Sequence, residues 1–295
     1  PVILPAEDTT SQGLLRVNTD DTCDSWVYTT CINSTEATMK GIRLVTRADD
    51  AGINRTANKA IRSSVRQGIV RNISLLAPGP EIESAVDTLG DLAQEVDFGL
   101  HVCITAEWLN LRWGPVAEAS RVTTLLQSDD TFPYDCAELE GLSPNIEEMM
   151  IEVAAQYDKL KALGFPIRYL DAHMGVGRVA GLSARLTAFA EQNGLLHSEV
   201  LQEKGKISRV PGWPGPGEHP GTELADHLAG VQKGTYLLVG HPEFKTDEVE
   251  ELRLPGHAMG EVLLGRNRER RMFADIEIVD YCENVGIELL RYSDL

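Results

Sequence analysis

The chain has 295 residues, 42% of them hydrophobic, which is enough for one large α/β domain or two small ones, and it holds no apolar run long enough to span a bilayer. Its 45 acidic and 27 basic side chains leave a net charge of −18, a balance that keeps the molecule soluble, excludes nucleic acid as a partner class and weighs against a polyanionic substrate. Five cysteines with no CxxC pair exclude a zinc ribbon and a thioredoxin motif. Residues 1–40 are polar and aperiodic, so they read as an N-terminal extension, with the main domain over 41–295. Cys23 and Cys31 in that extension would form a bridge in an exported protein, whereas Cys103, Cys136 and Cys282 read as inert core thiols. The start at Pro1 reads as trimmed; the expectation leans to the cytoplasm and leaves export open. Asn33, Asn54 and Asn72 each begin a glycosylation triplet, a pattern common by chance.

From Gly41 the texture changes. Residues 42–46 are a short apolar run, expected as a buried strand. Residues 54–67 place Ala57, Ile61 and Val65 on one helical face, and Gly68 ends the helix. Residues 70–76 and 98–105 are further strands, with a helix over 82–95 between them. Ser143-Pro144 opens a helix that runs through Leu163 and stops at Gly164. Residues 167–170 form a strand, and 182–192 a helix closed by Gly194. A long Gly- and Pro-rich loop covers 205–222. A strand over 236–239, a helix over 271–284 and a strand over 287–292 complete the chain. Strands alternating with helices make parallel βα units, and six or seven of them in about 250 residues fit an α/β, TIM-like (β/α) barrel, one that distortion would leave with seven or eight strands.

Four features lie at or just past the C-terminal end of a predicted strand, the face on which barrel enzymes build their sites. They are Asp49-Asp50, His101, Asp171-Ala-His173 and His241-Pro242. Of two adjacent carboxylates, one can bind a metal while the other accepts a proton; the plainer alternative is a helix cap. One carboxylate with two histidines suits Zn²⁺ or another divalent ion, and Asp171 could orient a ligand histidine. For the histidines the plainer alternative is a core ring satisfied by a backbone carbonyl. His241 is a candidate general acid near neutral pH.

The segments Ala48-Asp-Asp-Ala-Gly-Ile-Asn54 with Asn58, Gly99-Leu-His-Val-Cys-Ile-Thr105, Tyr169-Leu-Asp-Ala-His173, Gly240-His-Pro242 and the closing residues 287–295 occur in one order. Taken together they resemble the YdjC-like carbohydrate deacetylases, whose members include chitooligosaccharide deacetylases. The resemblance covers about residues 41–295. It implies a TIM-like barrel, a divalent metal (Zn or Mg) and hydrolysis of the acetamide of an N-acetylated amino sugar or oligosaccharide. On the matching positions Asp50, His101 and His173 would bind the metal, Asp49 would be the base, and His241 the acid or transition-state stabiliser. The family often carries a second histidine two places after its Asp-x-His motif; here that place is Gly175. Glu107-Trp108 and Arg112-Trp113-Gly-Pro115 resemble one branch of the family.

Trp108, Trp113 and Trp213 fall in loops or at strand ends and are candidates for stacking on sugar rings, with plain packing as the alternative. Arg209, before the Pro-rich stretch, is a candidate to hold a substrate carbonyl or carboxylate. The expected partner is therefore an N-acetylated carbohydrate, with no nucleic acid, no membrane, and room for a homodimer. Two other classes stay in view: a different barrel enzyme on carbohydrate, such as a glycoside hydrolase or metal-dependent sugar isomerase, and an inactive sugar-binding homologue.

Overall fold

Strand β1 (Ile42–Ala51) is longer than its apolar run, because the polar residues Thr46, Arg47, Asp49 and Asp50 are buried as well. Asn54 then begins helix α1 (Arg55–Arg66): its side-chain oxygen accepts the Ala57 N–H at 2.7 Å, the bond a helix cap makes. That leaves Asp49 and Asp50 without a capping role. Ala57, Ile61 and Val65 are buried, as their spacing predicts. These elements belong to a computed structural model that describes residues 41–295; the extension with Cys23, Cys31 and Asn33 lies outside the described residues.

The chain continues through β2 (Asn72–Leu75), α2 (Ile82–Leu89), β3 (Asp97–Val102), α3 (Cys136–Gly141), α4 (Ile146–Ala162) and β4 (Ile167–Ala172). Next come α5 (Leu182–Asn193), β5 (Leu196–His197), α6 (Ser198–Glu203), β6 (Ser208–Arg209), α7 (Pro220–Ala229) and β7 (Gly234–Gly240). Helices α8 (Asp247–Glu250), α9 (Glu261–Ala274) and α10 (Ile276–Val285) precede the last strand, β8 (Glu288–Leu290). Besides β1, several boundaries differ from the sequence expectation: α2 stops at Leu89 and not at 95, and β3 covers Asp97–Val102 and not 98–105. The helix expected at Pro144 begins after Asn145, whose side chain accepts from the Glu147 N–H. The stretch 205–222 holds β6 and the start of α7 rather than one loop. The helix expected over 271–284 is two helices, separated where Asp275 turns extended at ψ 140°.

The strand pairings are all parallel, in the order β5-β4-β3-β2-β1-β7-β6. β1 is the hub. β7 runs along one edge, while the other edge is shared: its first half meets β8 and its second half β2. Buried Asn72 fixes that junction by donating to the Thr46 and Leu290 carbonyls and accepting from the Tyr292 N–H. Among the described residues no pairing joins β5 to β6, so the fold is a distorted TIM-like barrel that does not close there. Helices cover the outside of the sheet, where Ile42, Leu44, Ile73 and Leu100 of the strands share one core cluster with Ile61 of α1. The barrel interior holds a smaller cluster of Val45, Tyr169, Leu237, Leu290 and Tyr292. Glycine at 99 makes room for it, since a Cβ there would lie 2.2 Å from the Tyr169 ring.

Candidate active site

Successive residues of a strand point to opposite faces, so Arg47 and Asp49 share one face of β1. Asp50 would ordinarily point away from them. Its φ of 64° and an irregular register between Ala48 and Ala51 break the alternation, and both aspartates line the same cavity. Asp is one of the few residue types that enters the left-handed region readily. Such a conformation costs on the order of 1–3 kcal/mol and persists where the surroundings impose it.

His101 comes from β3 and His173 follows β4 directly. His101 Nε2 and His173 Nδ1 are 3.1 Å apart, and Asp50 Oδ1 lies 3.4 and 3.3 Å from them. All three side chains are buried. Asp50 Oδ1 has no hydrogen bond of good geometry and faces the two imidazole nitrogens at long range, a weak arrangement for a buried carboxylate oxygen. Atoms about 2.0–2.2 Å from a tetrahedral ion lie about 3.3–3.6 Å from one another. Both edges to Asp50 fall in that range and the edge between the imidazoles is about 0.2 Å short of it, so a triangle of two imidazole nitrogens and one carboxylate oxygen fits a divalent cation in donor chemistry and, with a small adjustment, in spacing.

Each histidine of the triangle is held from behind. Asp171 Oδ2 is 2.8 Å from His101 Nδ1, and Glu107 Oε2 is 3.0 Å from His173 Nε2, the carboxylate–imidazole pairing that fixes ring orientation. Ser74 donates to the other oxygen of Asp171. Arg47 donates to both oxygens of Asp49, at 2.6 and 2.8 Å, and reaches Asp171 at 2.9 Å. Arg266 of α9 donates to Asp50 Oδ2 at 2.6 Å. Burial disfavours charge on Asp49, Asp50, His101 and His173, and the partners outweigh it. Arg47 and His101 hold the Asp49 carboxyl down at about 2. Arg266 holds Asp50 well below the usual carboxylate range. Asp171 and Asp49 lift His101 to about 9, and Glu107 lifts His173 well above an ordinary imidazole. The carboxylates that raise the two imidazoles would favour a metal cation there for the same electrostatic reason.

His241 stands just past β7 across the cavity, 37% exposed in its side chain. Glu269 of α9 accepts from its backbone N–H at 2.7 Å and lies 3.1 Å from Nδ1. Burial lowers the pKa of this imidazole, but Glu269 raises it on balance.

The cavity above the triangle measures about 600 Å³ and is lined by Arg47, Asp49, His101, His173, Arg209 and His241 among others. A second hollow of about 710 Å³ shares Arg47, Ala172, Gly175 and Arg209 with it, so the cleft runs on past the triangle. Of the residues expected to bind substrate, only Arg209 is on this wall, as an exposed side chain. Trp108 and Trp113 are buried in the core, 1% and 5% exposed, and Trp113 Nε1 donates to the Thr105 carbonyl. Trp213 is half-buried against the His227 ring and does not line the cleft. The expected aromatic rim is thus corrected to packing, because the loop segments around these indoles fold inward. Asn54 and Asn72 are also buried and bonded, which removes both as accessible glycosylation sites. Burial pushes the free thiols of Cys103 and Cys282 up to about 12, as inert thiols require; Cys136 is only half-buried.

Sequence reasoning missed the roles of Arg47, Glu107, Arg266 and Glu269. Arg47 had a local signal, since it stands two residues before Asp49 on one strand face. Arg266 and Glu269 are three apart on one helix face, but nothing local says that this face meets the barrel mouth. Glu107 lies in an irregular segment with no period to read.

The family model described as YdjC-like protein matches residues 43–284. A carbohydrate deacetylase from Thermoanaerobacter pseudethanolicus is 23% identical over 264 residues, covering 85% of this chain and 98% of that one. A carbohydrate deacetylase from Clostridium beijerinckii is 22% identical over 265 residues, covering 86% and 100%. Among solved structures, an Enterococcus faecalis protein provisionally named a cellobiose-phosphate cleavage protein superposes with a TM-score of 0.70 at 19% identity, over 86% of this chain and 98% of that one, and has the same fold.

Proposed function

The chain belongs to the YdjC-like family, and from that premise we propose that it is a metal-dependent carbohydrate deacetylase, hydrolysing the acetamide of an N-acetylated amino sugar or oligosaccharide. The observation that carries the proposal is the placing of Asp50 Oδ1, which has no hydrogen bond of good geometry, between two imidazole nitrogens, with a second carboxylate and a half-exposed histidine on the same cavity. Curated relatives that align over nearly their whole length are named carbohydrate deacetylases, which supports the substrate class.

Asp50, His101 and His173 hold the cation in this reading. When bound there, a divalent ion supplies Lewis acidity, polarising the acetamide carbonyl and making water a better nucleophile. Asp49 is ionised at neutral pH, the form a base needs, and Arg47 keeps its carboxylate fixed beside Asp50. It takes the proton of the attacking water. His241 turns Nδ1 to Glu269, which leaves Nε2 to protonate the departing amine. An amide anion is a very poor leaving group, so that proton is needed for the C–N bond to break. Arg209 holds the saccharide where the two hollows meet, and a second hollow of about 710 Å³ beside the first gives room for a further ring. An acetate-release screen over N-acetylated mono- and oligosaccharides with Zn²⁺, Mg²⁺ and other divalent ions tests the proposal. Acetate from at least one of them is expected; release from none, by folded and metal-loaded protein, would refute it.

A further inference from the structure

We propose that the dipeptide Glu107-Trp108 and Arg266 act together as positioning residues for the metal ligands, with Arg266, seated on Trp108, taking the second oxygen of Asp50 so that this carboxylate offers a metal one oxygen only. The inference rests on the metal site proposed above.

The two oxygens of Asp50 have different surroundings. Oδ2 is 2.6 Å from Arg266 Nη2, while Oδ1 faces the two imidazoles at 3.3 and 3.4 Å with no hydrogen bond of good geometry. Carboxylates bind metal ions through one oxygen or through both. Binding through both would occupy a position that a hydrolytic site needs for water or for the substrate carbonyl. A guanidinium on Oδ2 opposes this, because moving that oxygen to the metal would break the 2.6 Å ion pair of a buried Arg266 and leave it only the more distant charges of Glu243 and Glu107.

Arg266 needs a reason to stay in place, since its side chain is only 11% exposed. Trp108 gives one: the guanidinium carbon lies 4.9 Å from the centre of its indole, within range of a cation–π contact. The buried Trp108 Nε1 has no hydrogen-bond partner. Packed in the core, Trp108 thus offers Arg266 its ring face and not its donor. The preceding residue, Glu107, binds His173 Nε2 and so turns Nδ1 toward the triangle. Consecutive side chains after β3 thus govern ligands that arrive from β1 and from the end of β4. Backbone bonds anchor both flanks of the dipeptide, from the Ala106 N–H to the Pro133 carbonyl at 2.8 Å and from the Leu109 N–H to the Arg253 carbonyl at 2.9 Å.

The test loads the full chain with cobalt(II), whose visible absorption weakens as its coordination number rises. Wild-type protein is expected to bind cobalt stoichiometrically with a strong band. Arg266→Gln frees Asp50 Oδ2, so cobalt should bind at least as tightly with a weaker band. Turnover should fall roughly 10- to 100-fold with KM little changed. Arg266→Lys, which keeps a cation opposite Oδ2, should recover the band, and Trp108→Leu should give an intermediate one. A wild-type band and turnover in Arg266→Gln overturn the proposal. Loss of cobalt from folded Arg266→Gln also overturns it, because Arg266 would then support affinity and not the mode of binding. If circular dichroism shows that Arg266→Gln does not fold, Trp108→Leu decides, and an unchanged band there refutes the idea. Wild-type protein that binds no cobalt removes the underlying metal site and the inference with it.

Discussion

Asp49 and Asp50 are chemically identical neighbours, and their surroundings separate them. Arg47 occupies both oxygens of Asp49, whereas Asp50 keeps one oxygen toward the imidazoles. Asp49→Asn should therefore keep its metal and lose about 10²- to 10⁴-fold in turnover. His101→Ala and His173→Ala should lose the metal itself. Metal analysis of folded variants beside acetate release separates the two behaviours, and near-wild-type turnover in metal-loaded Asp49→Asn would contradict the assignment. The imidazoles give a pH prediction. With His101 lifted to about 9 and His173 raised as well, the metal-free rings hold protons at pH 7 that a cation must displace. Metal affinity should rise with pH up to about 9, and calorimetry at pH 7 should depend on the ionisation heat of the buffer; independence from the buffer would count against it. His241 works as an acid only while protonated, so turnover should fall as pH rises through its elevated pKa. Glu269→Gln removes the charge that raises it and should move that alkaline limb to lower pH. A limb that stays in place would exclude the pair as its source. That Asp50, His101, His173 and His241 meet on one cavity was legible, because strand ends of a barrel share one face, and so was Asp171 beside a histidine. Glu107, Arg266 and Glu269 were not, because they come from distant segments with no local pattern.

At the scale of elements, periodic segments were readable and short or disguised ones were not. Helix α1 shows its face at Ala57, Ile61 and Val65, and Gly194 closes α5 in the left-handed conformation, as its position suggests. β1 runs past its apolar stretch because buried Arg47, Asp49 and Asp50 read as polar surface. β5 and β6 are two residues each, too short for any period to appear. The break between α9 and α10 rests on the backbone of Asp275 alone, with no Gly or Pro to signal it. Trp113 is the clearest misreading, since an aromatic residue between irregular segments looks like a rim and is part of the core. Trp113→Ala should cost about 3–5 kcal/mol of stability, as removal of a buried aromatic does, with KM of the remaining folded enzyme unchanged. Denaturant unfolding checks the first part and kinetics the second; a raised KM at full stability would return Trp113 to the cleft.

For the molecule as a whole, the net charge does not describe the cavity. The chain carries −18 overall, yet the triangle is flanked by two buried guanidiniums, Arg47 and Arg266, each paired with carboxylates. The barrel follows from alternating strands and helices, and its incomplete closure, with no β5–β6 pairing among the described residues, depends on pairing partners that no local pattern encodes. Among those residues no helix is long and apolar enough to cross a membrane. The most direct test of the central claim is to strip the protein of metal and titrate it with Zn²⁺ while acetate release from an N-acetylated oligosaccharide is followed. Release should be absent after stripping, rise in proportion to added metal and level off at a single ion per chain; release that survives stripping, or that ignores added metal, would contradict the account.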